Sequence, residues 1–213
     1  TIVGQSHHYE TMAFSGFFTE SIEFGSFDVR PGVRIEIFEQ ERIDRLAGST
    51  YLDKTTSAIL PGVGFISELR GFNFFGGVHR GFTPPSSGAL KILNFGENVS
   101  DGGLDLRSEK SWNKEIGIRG NVSFIQFEYS GYHVAIEDLV AAGRGTAFKN
   151  LGKANTMGVE TKTIFNFSDL NKLLPNLDVS YSFLKTEVVE GEIISNVAGS
   201  VGNQIDISGK EYA

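Results

Sequence analysis

Apolar and polar residues alternate along most of this chain with a period of two. From Phe27 to Ile37 one parity holds Phe27, Val29, Pro31, Val33, Ile35 and Ile37, and the other holds Asp28, Arg30, Gly32, Arg34 and Glu36. Successive side chains of a strand point to opposite faces, so such a segment is apolar on one side and charged on the other. Leu177, Val179, Tyr181 and Phe183 repeat the pattern against Asp178, Ser180 and Ser182. Met157, Val159, Phe165 and Phe167 repeat it against Gly158, Glu160, Lys162 and Asn166. The alternation predicts about eight strands, near 9–24, 27–45, 58–69, 72–83, 109–120, 122–140, 153–168 and 176–190. Helical periodicity is nowhere sustained.

The segments between strands are of two alternating kinds. Short ones fall at Gly25-Ser26, Arg70-Gly71 and Gly120-Asn121, where glycine suits a tight hairpin turn, with Asp169 to Pro175 slightly longer. Long ones, rich in Gly, Ser, Asn and Asp, fall near 46–57, 85–108, 141–152 and beyond 190. Strictly sorted turn lengths and strands well beyond the usual ~5–6 residues point to an all-β, antiparallel transmembrane β-barrel segment. Short periplasmic turns and long extracellular loops are expected, with Tyr9, Phe72, Trp112, Tyr129, Tyr132 and Tyr181 as candidates for the membrane interfaces. A soluble β-sandwich binding module is the alternative from another class. Detergent dependence separates the two.

Composition narrows the field. The 213 residues include no cysteine, which removes disulfides, thiolate metal sites and cysteine nucleophiles. With 19 basic and 26 acidic residues the net charge is -7, which argues against a nucleic-acid partner. No run approaches the ~18–20 apolar residues of a membrane helix. Thr1 to Glu10 lack a basic stretch followed by an apolar core, so either the protein is not exported or the chain is an internal piece of a longer one.

Catalytic and metal patterns are not evident. No G-x-S-x-G, H-E-x-x-H, G-x-G-x-x-G or phosphate-loop motif occurs, and no cofactor is implied. His7-His8, His79 and His133 are the four histidines, and neighbouring strand residues such as His7 and His8 point to opposite faces. Carboxylate pairs such as Glu137-Asp138 suit a solvated rim better than acid–base work. The expectation is a binding or transport protein and not an enzyme.

Five segments, in order, resemble the barrel of TonB-dependent outer-membrane receptors. Phe27 to Glu36 (FDVRPGVRIE) resembles a strand of the form tPGvRyE, and Leu60 to Gly64 (LPGVG) resembles the opening of the next. Gly77 to Pro85 (GVHRGFTPP) is similar to vyrGFtpP, and Leu106 to Arg119 (LRSEKSWNKEIGIR) to l-pEkSwnyElGvR. Asn150 to Ala154, followed by Gly158-Val159-Glu160, is similar to N-g-ka---GvE. The resemblance implies a receptor of the bacterial outer membrane for a ferric-siderophore such as ferric citrate, with haem, cobalamin or a glycan as other cargoes. It also implies a TonB complex acting through a plug domain, and contact with outer-membrane lipid and lipopolysaccharide. A family barrel has 22 strands, so residues 1–213 read as a partial barrel without the plug.

Charge adds candidate ligand residues. No acidic residue lies between Asp138 and Glu160, whereas Arg144, Lys149 and Lys153 do. An anionic iron chelate suits such a basic island, read here as part of one long loop, with Arg80 and Arg107 flanking the neighbouring loop as second candidates. The plainer alternatives are lipopolysaccharide phosphates or a solvated loop. Lys114 falls on the apolar parity, where it is tolerable only near an interface that its amine can reach.

Overall fold

The computed structural model describes residues 6–46, 48–86, 106–141, 149–195, 203–206 and 211–212. Its eleven strands form one sheet: β1 (His7–Thr19), β2 (Ile22–Phe24), β3 (Phe27–Asp44), β4 (Ser49–Leu69), β5 (Phe72–Thr83), β6 (Glu109–Val122), β7 (Ile125–Ala141), β8 (Lys149–Phe165), β9 (Leu177–Ser195), β10 (Asn203–Asp206) and β11 (Glu211–Tyr212). Every neighbour pair is antiparallel, and β3 to β9 follow one another in chain order. The sheet is the expected meander. β1 and β2 are one strand interrupted opposite Pro31, which has no N–H to give the ladder; its carbonyl instead accepts from Glu20 N at 3.1 Å.

Ladder register sorts the side chains as the alternation requires. Val33, Ile35 and Ile37 of β3 share a face with Pro61, Ile59 and Ser57 of β4, and with Phe18, Gly16 and Phe14 of β1. Phe72, Phe74 and Val78 of β5 continue that face to Ile118 and Ile116 of β6, Tyr129 of β7, Val159 of β8 and Phe183 of β9. This apolar face is open: Phe18 is 65% exposed, Ile59 69% and Ile116 67%. The opposite face carries Asp28, Arg30, Arg34, Glu36, Glu115, Arg119, Glu128, Glu160 and Lys162. A water-soluble sheet buries its apolar face, and here nothing among the described residues covers it.

Three two-residue turns close one end of the sheet. Gly25 (φ 65°) opens the β2–β3 turn, and both Arg70 (φ 53°) and Gly71 (φ 84°) take the left-handed conformation that the tightest hairpins demand. The third turn is Ser123-Phe124, with Ser123 at φ 54°, and not the expected Gly120-Asn121. Gly120 lies inside β6, where the Phe72 ring occupies its side-chain space; a Cβ there would stand 2.6 Å from a ring carbon. The β8–β9 connection carries a 3-10 turn at Phe167–Asp169, near the longer link expected on this end.

At the other end the strands run further than expected. Residues 49–57, read from sequence as loop, belong to β4, and only 45–48 connect it to β3. Their serines, threonines and charged residues lack the apolar–polar alternation that marks a strand, and one side of the stretch is covered by the long connection through Lys54. The 141–152 loop shrinks in the same way to 142–148. Residues 203–206 and 211–212, read from sequence as part of the long segment beyond 190, pair with β9. The link from Thr83 to Glu109 is the long connection that the pattern predicts.

The small buried core sits at this end, with Gln40, Arg42, Ala154 and Val188 on the charged-face parity. The β4–β5 ladder stops at Gly62–His79 although both strands continue. Beyond that seam Phe82 reaches Phe38 of β3, with ring centroids 5.6 Å apart. Gln40, buried, donates to the Pro85 carbonyl at 3.0 Å, and Lys54 donates to the Leu106 carbonyl at 3.0 Å. Both ends of the long connection thereby pack over β3 and β4, burying Leu106 and Ser108, while Ala154 and Val188 pair across β8–β9.

Candidate functional site

The charged face is a ladder of ion pairs. Arg30 holds Asp28 at 2.6 Å, with Ser21 donating to the same carboxylate at 2.8 Å, and Arg34 holds Glu36. Arg119 faces Glu128 at 3.9 Å and Lys162 faces Asp178 at 3.6 Å, both across a strand pair. These pairs explain why the charges occupy alternate positions: each is cross-strand or two residues apart on one face. Arg30 and Arg34 remain half-exposed, beside a groove of ≈ 520 Å³ whose floor is Gly32, Gly62, Gly64 and Gly77 with His79 at its side. Gly62 leaves room for His79, since a Cβ there would stand 2.9 Å from that of the histidine. Such a surface offers guanidinium forks close to bare backbone, an arrangement suited to an anion or to another protein surface.

The loop end gathers three of the five basic candidates, each against a carboxylate. Arg80 bonds Glu137 at 2.7 Å and lies 5.1 Å from the Trp112 ring centre. Arg107 meets Asp138 at 2.7 Å, and Lys153 meets Glu190 at 2.9 Å. Glu137 stands near the long-connection end of β7, opposite Lys110 and one register step beyond the Trp112–Ala135 pair. Its hydrogen bond and charge attraction to Arg80 hold its carboxyl below the usual range. Lys153 sits in strand β8 and not on a loop, and Lys149 begins that strand. Arg144 lies outside the described residues, as does the side chain of Lys149.

Sequence reasoning missed the residue that ties this end together. The Asn150 amide donates to the carbonyls of Arg107 at 2.8 Å and Asp138 at 2.7 Å, and its oxygen accepts from Arg107 N at 2.8 Å. It joins the end of the long connection to β7 and β8. Next to it Gly152 has φ 138°, and a side chain there would collide with the Glu190 backbone. The segment Asn150 to Ala154 therefore combines a polar clasp with a strand crossing at close range. Glu190, the partner of Lys153, was out of sight for a different reason: it is remote in sequence and only the register brings it near.

The histidines do not converge. His8 approaches Arg45 at 3.1 Å, His79 lies on the charged face of β5, and His133 lies opposite Lys114 on the apolar parity. Among the described residues no group of three or more His, Asp or Glu could hold a metal ion. The expected interface aromatics divide: Phe72, Trp112, Tyr129 and Tyr181 share the apolar parity, whereas Tyr9 and Tyr132 lie on the charged one. Tyr9 is stacked under Arg42, 4.1 Å from its ring centre, and Tyr132 packs over Gly158.

Comparison with known proteins points one way. A family model described as TonB dependent receptor-like, beta-barrel, matches residues 3–210. The Vitamin B12 transporter BtuB of Vibrio vulnificus (strain YJ016) is 28% identical over 133 residues, which are 52% of this chain and 22% of that protein. The ferric citrate transporter FecA in its unliganded form has a TM-score of 0.70 at 19% identity, covering 97% of this chain and 30% of that one. The ferric-catecholate import receptor Fiu from K12 E. coli gives 0.65 at 18%, covering 93% and 31%. The copper transporter OprC gives 0.63 at 18%, covering 85% and 29%. The chain thus spans between 22% and 31% of the length of these proteins.

Proposed function

The chain belongs to the TonB dependent receptor-like β-barrel family, and on that premise we propose that it forms part of the barrel wall of an outer-membrane transporter for an anionic iron chelate, a ferric-siderophore such as ferric citrate. The two-faced sheet carries this reading. Phe27 to Ile37 on β3 spans ten residue steps, about 33 Å along a strand at ~3.3 Å per residue. At a tilt of ~40° that is about 25 Å across a bilayer, the height of the apolar band on outer-membrane barrels. The apolar face meets lipid, and the charged face lines the interior. A charge at mid-bilayer costs ~2–4 kcal/mol on the outer face, so the sorting of Glu115, Arg119, Glu160 and Lys162 to the other side is a requirement of the environment.

Cargo arrives at the long-connection end. There Arg144, Lys149, Lys153, Arg80 and Arg107 form the anion-recruiting set. Glu137, Asp138 and Glu190 act as resident carboxylates that an incoming carboxylate ligand displaces from Arg80, Arg107 and Lys153. Arg suits this exchange because its planar fork accepts either partner in the same two-point geometry. Energy for release inward comes from the TonB complex through a plug domain outside these residues. Cobalamin is the second reading, supported by the likeness to a vitamin B12 transporter.

The test uses the full-length receptor in detergent, titrated with ferric citrate and separately with cyanocobalamin by calorimetry, as wild type and as Arg144→Ala/Lys149→Ala. The iron-chelate reading expects saturable ferric citrate binding, weakened at least tenfold (~1.4 kcal/mol) in the double variant. Saturable cyanocobalamin binding alone contradicts it and favours the second reading.

A further inference from the structure

The apolar face is not smooth. A groove of ≈ 520 Å³ crosses β4 to β7, walled by Phe65, Val78 and Ile116 and floored by Gly131. A Cβ on Gly131 would meet nothing nearer than the Gly158 carbonyl oxygen at 3.8 Å, so the protein leaves this space empty instead of filling it with a neighbouring ring. At the end of the groove towards the long connections, Lys114 and His133 stand opposite each other in the β6–β7 ladder, on the same face as Val78. Lys114 is exposed and, among the described residues, makes no ion pair. One register step beyond lies Trp112, an amphipathic ring of the kind that settles at headgroup level.

An apolar channel ending in an ammonium and an imidazole has the polarity of a membrane lipid, chain first and phosphate last. We propose that this groove holds one acyl chain of a phosphate-bearing lipid of the outer leaflet, with Lys114 and His133 binding the phosphate. The inference rests on the reading of the apolar face as lipid-facing. Charge complementarity selects the occupant: Lys114 brings a positive charge with no carboxylate partner among the described residues, and an imidazole donates an N–H to phosphate in either tautomer. The same geometry explains how a lysine is tolerated on the apolar parity. Its amine is not left in hydrocarbon but meets the headgroup layer, with its stem lying along the groove.

The probe is bisphosphorylated lipid A, compared with the same lipid after its phosphates are removed. Lipid retained by the detergent-purified full-length receptor is counted by native mass spectrometry. The wild type should retain the phosphorylated form at least tenfold better. Lys114→Gln/His133→Gln should abolish that preference, and Gly131→Leu, which fills the groove without a backbone clash, should displace both forms. Heat-modifiable electrophoretic migration checks that each variant is folded, and if the double variant is not, Gly131→Leu decides. Equal retention of the two lipids by the wild type, or retention unchanged in the folded variants, overturns the lipid site while the barrel stands. A receptor that stays monodisperse without detergent overturns the membrane reading itself.

Discussion

The phenol end of Tyr132 occupies the side-chain space of Gly158, its register partner on the next strand. The same fit recurs where Phe75 covers Gly117, Phe72 covers Gly120 and Phe65 covers Gly76. In each pair an aromatic residue lies across the glycine directly opposite it. This fixes register, because a slip of one residue would move the ring to the other face and a slip of two would set it against a side chain. It also widens the local surface: Phe75 and Tyr132 fold down against the charged face and leave the interior clear.

Filling such a seat should cost stability. Gly158→Val forces Tyr132 off its partner, and overpacking of this kind costs about 1–3 kcal/mol. Urea unfolding in lipid vesicles measures it. Tyr132→Ala in the same chain should recover only part of the loss, because the ring is gone but the new Cβ still stands 2.8 Å from the Phe183 carbonyl oxygen. If the double variant is as unstable as the sum of the two single ones, the pair is not coupled.

The displaced turn gives a paired prediction. Ser123→Gly relieves a left-handed residue at φ 54° and should stabilise or leave stability unchanged, by up to about 1 kcal/mol. Gly120→Val should lower stability, since its side chain meets the Phe72 ring. Folding yields of the two variants into detergent, compared side by side, check the opposite signs.

Asn150 is expected to hold the loop end. Asn150→Ala removes a side chain that makes three hydrogen bonds and leaves the Arg107 and Asp138 carbonyls to find other partners. About 1–3 kcal/mol of local stability should go. Limited proteolysis should then cut between residues 84 and 108 faster than in the wild type, with the strands still protected.

The Arg80–Glu137 pair should be modest and salt-sensitive. Arg80 is only 16% exposed but Glu137 is about half-exposed, so solvent screening on the Glu137 side keeps the pair near the upper end of the about 0–1 kcal/mol that exposed pairs are worth. A double-mutant cycle on Arg80→Ala and Glu137→Ala should give a coupling in that range that shrinks at high salt. Part of the Arg80→Ala effect should survive both, because the guanidinium also covers Trp112.

Much of the barrel pattern was legible in the sequence, and the lapses share a physical cause. Period-two alternation reads a strand only where one face is apolar and the other polar. It therefore locates β3, β5 and β9 well but loses Ser49 to Ser57 of β4 and the start of β8 at Lys149, where polar residues meet the long connection and the alternation lapses. Gly120 was misread because a glycine that seats a ring looks the same in sequence as one that makes a turn. The candidate site was legible only as a local charge excess. Arg80, Arg107 and Lys153 do gather at one end, but their carboxylate partners come from β7 and β9, and Asn150 acts through bonds to residues up to 43 positions away. Contacts set by register across strands are not written in any one segment.

The most direct test of the account sets the two faces of one strand against each other. The chain has no cysteine, so Ile116→Cys and Glu115→Cys in the full-length receptor, freed of other reactive cysteines, each carry a single nitroxide. Electron paramagnetic resonance in native-thickness bilayers then reads accessibility to oxygen, which partitions into lipid, and to a water-soluble nickel chelate. Adjacent positions on a barrel wall should give opposite environments: position 116 high in oxygen and closed to the chelate, position 115 without the oxygen excess. Equal access of both probes to the two positions would contradict the lipid-facing assignment and, with it, the membrane barrel.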